Sequence, residues 1–223
     1  MGAVIEMSII NRISKYVLDP DFRFWVHCKL CLHNQMPDKD YLTKVYKFRL
    51  QRELHLDNPR SFNEKLQWLK IYDHNPAYTT MVDKYAVKDY VSSVIGEEYI
   101  IPTLGVWKNF DDIDFSKLPD QFVLKCTHDS GGLFICKAKK EFDIKKAKKK
   151  INHCLKRDYY SLMREWPYKN VPRRIIAEPY MNDGENEELQ DYKFMCFNGK
   201  VLCSFICTER YSETGLHVTF FDR

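Results

Sequence analysis

The sequence predicts an α+β protein built mainly on antiparallel sheet, and three observations predict it. Apolar residues recur at helical spacing through the first hundred residues. After Pro102 the texture changes to short β-rich runs. Those runs lack the strand–helix alternation of a parallel sheet, and a single helix is inserted among them at 143–157.

Taken in order, residues 3–17 place Ile5, Ile9, Ile13 and Val17 at four-residue steps. This spacing predicts an amphipathic helix that packs on the body or touches a membrane surface, packing being the commoner outcome. Ser61-Phe62-Asn63-Glu64 behind Pro59 has the form of a capping box, in which hydroxyl and carboxylate satisfy the free amides of a helix start. That helix should run to about Asp73. A second is expected from Thr79 or Thr80 to Gly96, with Val87, Val91 and Val94 as its apolar stripe and Lys84 in its first turns.

Gln121–Cys126 and Leu133–Lys137 read as strands joined by Thr127-His128-Asp129-Ser130-Gly131-Gly132. Behind Asp143 as cap, Ile144, Ala147, Ile151 and Leu155 mark the inserted helix. Arg174–Tyr180 is another strand, with Pro179 near its end. Leu189–Phe197 and Val201–Thr208 should pair through Asn198-Gly199-Lys200, because Asn-Gly supplies the positive φ of a tight hairpin turn. The acidic run at 183–191 reads as a loop. With no repeat or low-complexity linker, pattern changes set the divisions: a helical region at 1–60, a helical part of a first lobe at 61–120, a β-rich part at 121–173 and the start of a second lobe at 174–223.

Composition narrows the function classes. The chain has 223 residues, 35 Lys and Arg against 31 Asp and Glu, and 44% apolar residues, which excludes disorder and coiled coil. No run approaches the roughly 18–20 apolar residues of a membrane span. Glu6, Arg12, Lys15, Asp19 and Asp21 break any secretory leader, and Glu6 stands where a myristoylation signal wants Ser or Thr. A cytoplasmic protein is expected. The eight cysteines sit in apolar runs and read as mostly buried free thiols. Cys28-Lys29-Leu30-Cys31, flanked by His27 and His33, is half a zinc site without a nearby second pair, so packing is preferred to metal. Lys137 to Arg157 holds ten basic residues against Glu141 and Asp143, a net of +8, which gives the inserted helix a basic outer face. No recognition-helix pattern or interleaved aromatics accompany it, so nucleic acid is not an expected partner.

The stretch Phe122–Gly132 carries the most chemistry. Lys125 lies on a strand just before a glycine-ended loop whose amides could converge on phosphate oxygens, although an ordinary hairpin loop would look the same. Neither the Walker nor the Rossmann glycine spacing is present. Lys84 stands upstream and Glu178 ends a later apolar strand. Asp191 and Lys193 share one face of a further strand.

An ordered series of blocks resembles a known family: Asp83-Lys84-Tyr85-Ala86-Val87-Lys88, Phe122–Lys125 with His128–Gly131, Glu165–Asn170, Ile175–Glu178 and Asp191–Lys200. From about Tyr41 onward the chain is similar to the TupA-like ATP-grasp family, associated with teichuronopeptide and capsular polysaccharide biosynthesis, whose members are often labelled glycosyltransferases. The resemblance implies an ATP-grasp fold of two α+β lobes and the cofactors ATP and Mg²⁺. Lys84 and Lys125 would face the phosphates, and His128, Asp129, Ser130, Gly131 and Gly132 would form the loop over them. Glu178 and Tyr180 would lie on the adenosine side. Lys193 would face the terminal phosphate and, with Asp191, would be catalytic.

The implied reaction is attack of a carboxylate on the γ-phosphate, giving an acyl phosphate that an amine captures as an amide. The partners would be a small-molecule or glycan carboxylate and an amine donor, with a peripheral membrane or polysaccharide-assembly contact. The family's magnesium carboxylates sit in a later strand pair, and this sequence ends at Phe220-Phe221-Asp222-Arg223. A truncated chain, or one without that metal site, is the expectation, and the metal ligands cannot be assigned. A glycosyltransferase using an Asp-x-Asp site is the alternative enzyme, from Asp19/Asp21, Asp38/Asp40 or Asp112/Asp114. A noncatalytic nucleotide-binding or scaffold role is the third reading.

Overall fold

The structure is a computed structural model that describes residues 9–182, 190–208 and 215–222. It divides into two compact units, Met1–Glu178 and Pro179–Arg223.

The first unit opens with helices. α1 (Ile9–Leu18) ends at Asp19, whose carboxylate caps α2 (Pro20–Lys29) by accepting the N–H of Phe22 at 2.9 Å. The expected packing of the α1 stripe is not what the fold delivers: Ile13 is 60% and Val17 61% exposed. α1 leans on α2 through polar contacts instead, Tyr16 with His27 at 2.7 Å and Arg23 with the Val17 carbonyl at 3.0 Å. Residues 3–8 of that expected helix lie outside the described residues. α3 (Asp38–Leu50) brings Tyr41, Leu42 and Val45 onto Cys28, so this thiol sits in an apolar core as expected. α4 (Phe62–Tyr72) begins at the capping box, with Glu64 Oε2 accepting the Ser61 N–H at 2.8 Å, and ends at Asp73.

One expected helix becomes two, α5 (Ala77–Val82) and α6 (Ala86–Ile95). The break falls at Asp83-Lys84-Tyr85 because the buried Asp83 carboxylate accepts the N–H groups of Tyr85 and Ala86 and pairs with Arg174. A side chain that binds nearby amides competes with the helical ladder.

β1 (Gly105–Trp107), β2 (Phe122–Cys126), β3 (Leu133–Cys136) and β4 (Ile175–Pro179) form one sheet in the order β1-β4-β2-β3, with β1 antiparallel to β4 and β2 antiparallel to β3. α7 (Ile144–Lys156) and the short α8 (Tyr159–Met163) are inserted between β3 and β4. Side chains alternate along a strand. Phe122, Leu124 and Cys126, with Ile175 and Ala177, therefore face Ala147, Ile151 and Cys154 of α7 in the main core. Val123, Lys125, Ile176 and Glu178 point to the opposite face.

In the second unit β5 (Asp191–Phe197), β6 (Lys200–Thr208) and β7 (His217–Phe221) form an antiparallel sheet. The expected hairpin turn is there, with Asn198 and Gly199 at φ +48° and +74°. β7 was not foreseen, nor was the three-residue β1. Most of the acidic run at 183–191 lies outside the described residues. All eight cysteines are free, and Cys28, Cys126, Cys136, Cys154 and Cys207 are buried.

Candidate functional site

The site begins on the face of the four-stranded sheet turned away from α7. Lys125 on β2 and Glu178 at the end of β4 meet there as a direct ion pair. Lys88, one turn into α6, reaches the same carboxylate at 2.6 Å from Glu178 Oε1. Its remaining donors go to the Ile101 carbonyl at 2.7 Å and Thr103 Oγ1 at 2.8 Å. The Glu178 side chain is 6% exposed. Burial alone would push its carboxyl up, but the hydrogen bonds and charges of Lys125 and Lys88 outweigh that and bring it below the usual range.

These residues line a hollow of ≈ 320 Å³ completed by Lys84 and an apolar wall that includes Val87, Val91 and Ile100. Three lysines against one carboxylate leave the hollow cationic, and the apolar wall suits a flat ring. Size alone would point elsewhere: a hollow of ≈ 790 Å³ beside Leu32, Met36 and Thr43 is larger, but none of its lining residues is a buried charged group.

Lys84 stands at the break between α5 and α6 rather than within a helix. Its backbone N–H donates to the Thr127 carbonyl at 3.3 Å and its ammonium to the Asp129 carbonyl. Burial pulls its pKa below the ordinary lysine value. The break is thereby tied to the loop after β2. Thr127 binds the chain before β4 through its N–H to the Arg174 carbonyl at 2.9 Å and its hydroxyl to the Pro172 carbonyl at 2.7 Å.

Within the loop the side chains divide. Ser130 and Gly131 are exposed. Gly131 has φ +99°, a backbone region that glycine enters freely, with open space where a Cβ would stand. Asp129 is buried; its Oδ1 accepts the Gly132 N–H at 3.1 Å and its Oδ2 the Arg157 guanidinium at 2.7 Å. A Cβ on Gly132 would lie 2.4 Å from that carboxylate, so glycine is required for close approach. The His128 ring is buried, neither ring nitrogen has a hydrogen-bond partner of normal geometry, and burial lowers its pKa. Asp129 and His128 thus turn inward as supports, while Ser130 and Gly131 form the accessible tip.

Tyr180, Asp191 and Lys193 belong to the second unit. Tyr180 is half-buried. Lys193 Nζ lies 2.6 Å from Asp191 Oδ1, so the two do share a face of β5. Among the described residues no group of three or more His, Cys, Asp or Glu, Asp222 included, is placed to hold a metal ion, and Glu178 and Asp191 each face lysine. The described residues therefore do not fit a magnesium site.

The Asp-x-Asp patterns have structural work. Asp19 caps α2, Asp38 pairs with Arg164 at 3.3 Å, and Asp114 accepts the Ser116 N–H at 3.1 Å. Sequence reasoning missed Lys88, which stands in the Asp83–Lys88 block without any mark separating it from a solvated helix lysine. It also missed Asp83 and Arg174, whose pairing depends on the fold.

No curated protein and no solved structure matches the chain. The sequence model described as TupA-like ATPgrasp matches residues 64–223, starting later than Tyr41 and covering both units in large part. With an α+β architecture and antiparallel strands in agreement, the chain belongs to the TupA-like ATP-grasp family.

Proposed function

We propose that this protein binds ATP at the Lys84–Lys88–Lys125–Glu178 hollow and serves an ATP-dependent carboxylate–amine ligation in bacterial surface polysaccharide biosynthesis. The observation that carries the reading is the convergence of three lysines and one buried carboxylate beside a glycine-ended loop and an apolar wall. Ammonium groups on phosphate oxygens make charge-assisted hydrogen bonds, and a partly dry hollow strengthens them. Val87, Val91 and Ile100 would hold the base. Lys84 and Lys125 would exchange their present oxygen partners for phosphate, while Lys88 keeps Glu178 in place. The reaction class is phosphoryl transfer to a carboxylate and then amide formation with an amine, in which these residues orient and neutralise the phosphates. The described carboxylates Glu178 and Asp191 are taken up by lysines and offer magnesium no set of ligands.

Titration calorimetry tests the reading. ATP or ADP should bind, and Lys125→Ala should weaken binding by roughly 10- to 100-fold, the worth of one hydrogen bond to a charged group. Binding of a nucleotide sugar with indifference to ATP would overturn it in favour of a glycosyltransferase.

A further inference from the structure

We propose that Arg157, the residue that ends α7, is the positioning residue of the 127–132 loop and fixes it in the form that meets phosphate; the inference rests on the ATP-binding reading of the same site. Arg157 was counted with the basic outer face of α7, yet its guanidinium turns inward. One nitrogen, Nη2, donates to Asp129 Oδ2 at 2.7 Å and to the Ser130 carbonyl at 3.1 Å. The Asp129 side chain is fully buried, whereas that of Arg157 is 29% exposed. A buried carboxylate needs its cation, so this contact is a strong tether and not a surface pairing. Its backbone is fixed too, since the Arg157 N–H donates to the Cys154 carbonyl at 3.1 Å.

The tether sets where the loop amides point. In a trans peptide the carbonyl and the following N–H are antiparallel. Holding the Ser130 carbonyl on Arg157 therefore directs the Gly131 N–H away from Arg157. Holding the Asp129 carbonyl on Lys84 directs the Ser130 N–H away from Lys84. Asp129 Oδ1 takes the Gly132 N–H, which closes the loop base. Successive N–H groups left at an exposed turn form an anion-binding concavity. The Lys84 contact is a flexible ammonium on a backbone oxygen and can be surrendered to a ligand. The Arg157–Asp129 contact cannot be surrendered without stranding a buried charge, so it persists with the loop loaded or empty.

The test compares wild type with Arg157→Ala and Arg157→Lys, measuring ATP and adenosine affinities and, without nucleotide, amide hydrogen exchange over 127–132. Arg157→Ala should weaken ATP roughly tenfold or more, leave adenosine unchanged and speed exchange in the loop. Arg157→Lys restores a cation for Asp129 on a different stem, so that its ammonium need not reach both Asp129 Oδ2 and the Ser130 carbonyl, and should recover part of both effects. Should the Ala protein not fold, an ATP-selective loss in the Lys protein decides in favour. Unchanged ATP affinity, or equal loss of ATP and adenosine, overturns the proposal while leaving the nucleotide site intact. A wild-type chain that binds no ATP overturns the function reading instead; the tether is then upheld by faster loop exchange in Arg157→Ala and refuted by unchanged exchange.

Discussion

Glu178 carries two ammonium groups on one buried carboxylate, and its neighbours are unequally placed: the side chains of Lys88 and Lys125 are 14% and 31% exposed. Removing the shared partner leaves both lysines facing each other in a partly dry hollow, so Glu178→Gln should cost about 3–5 kcal/mol of stability. Lys125→Met leaves the better-buried Lys88–Glu178 pair intact and should cost nearer about 1 kcal/mol. Urea denaturation of the two variants checks the order, and equal losses would show that Lys88 does not anchor Glu178. His128 adds a pH dependence of its own. Asp129, Arg173 and the carbonyls of Cys154 and Arg157 surround its ring, and burial lowers its folded pKa. The unfolded chain therefore takes up this proton first as pH falls. The stability owed to neutral His128 is present above about pH 6.5 and is lost below it. The midpoint of urea unfolding should fall from pH 8 to pH 5.5 more steeply in wild type than in His128→Gln.

At the α4 start, hydrogen bonds from the Ser61 N–H and hydroxyl and the Arg60 N–H hold the Glu64 carboxyl down at about 2. A depressed carboxyl pKa stabilises above the unfolded value near about 4.3 and stops doing so as pH falls through about 2. Glu64→Gln should be less stable than wild type at neutral pH, with the difference closing by pH 2 in thermal unfolding. This element was legible because a capping box is local chemistry, complete within four residues. The turn of the β5–β6 hairpin was legible for the same reason, since Asn198-Gly199 is a local turn signal, whereas the register shift between Met195 and Cys196 has no such mark. The break between α5 and α6 was not, although Asp83 is a known competitor for amides. Val87, Val91 and Val94 all lie in α6 and say nothing of the break before it, which rests on Arg174, ninety-one residues away, holding the Asp83 carboxylate. The candidate site divides the same way: Lys84, Lys125 and Glu178 are marked by the blocks they stand in, whereas the contacts of Lys88 with Glu178 and of Arg157 with Asp129 form only when distant elements meet. β1 was missed because three residues carry too little alternation to read.

Two apolar cores share the first unit, one between the four-stranded sheet and α7 and one around Cys28, Tyr41, Leu42 and Val45. Arg164 bridges from the α8 end to the helical core with a side chain 2% exposed. Its guanidinium donates to the His33 carbonyl at 2.7 Å, pairs with Asp38, and lies 4.5 Å from the Tyr41 ring centre and 5.4 Å from that of Tyr160. Tyr41 returns a hydrogen bond to the Leu162 carbonyl at 3.0 Å. A single cation thus satisfies groups from α3 and the chain before it while occupying the space between two aromatic rings. Arg164→Ala would leave Asp38 without its cation, open a void beside Tyr41 and free the His33 carbonyl. The loss should be about 3 kcal/mol, the low end for a broken buried pair because Asp38 is a third exposed. Because the sheet–α7 core has its own apolar contacts, the loss should be local. Hydrogen exchange should quicken in α2 and α3 while β2 and β4 keep their protection, and the ATP affinity should hold. Equal loss of protection in the helices and the sheet would show instead that the two cores unfold as one.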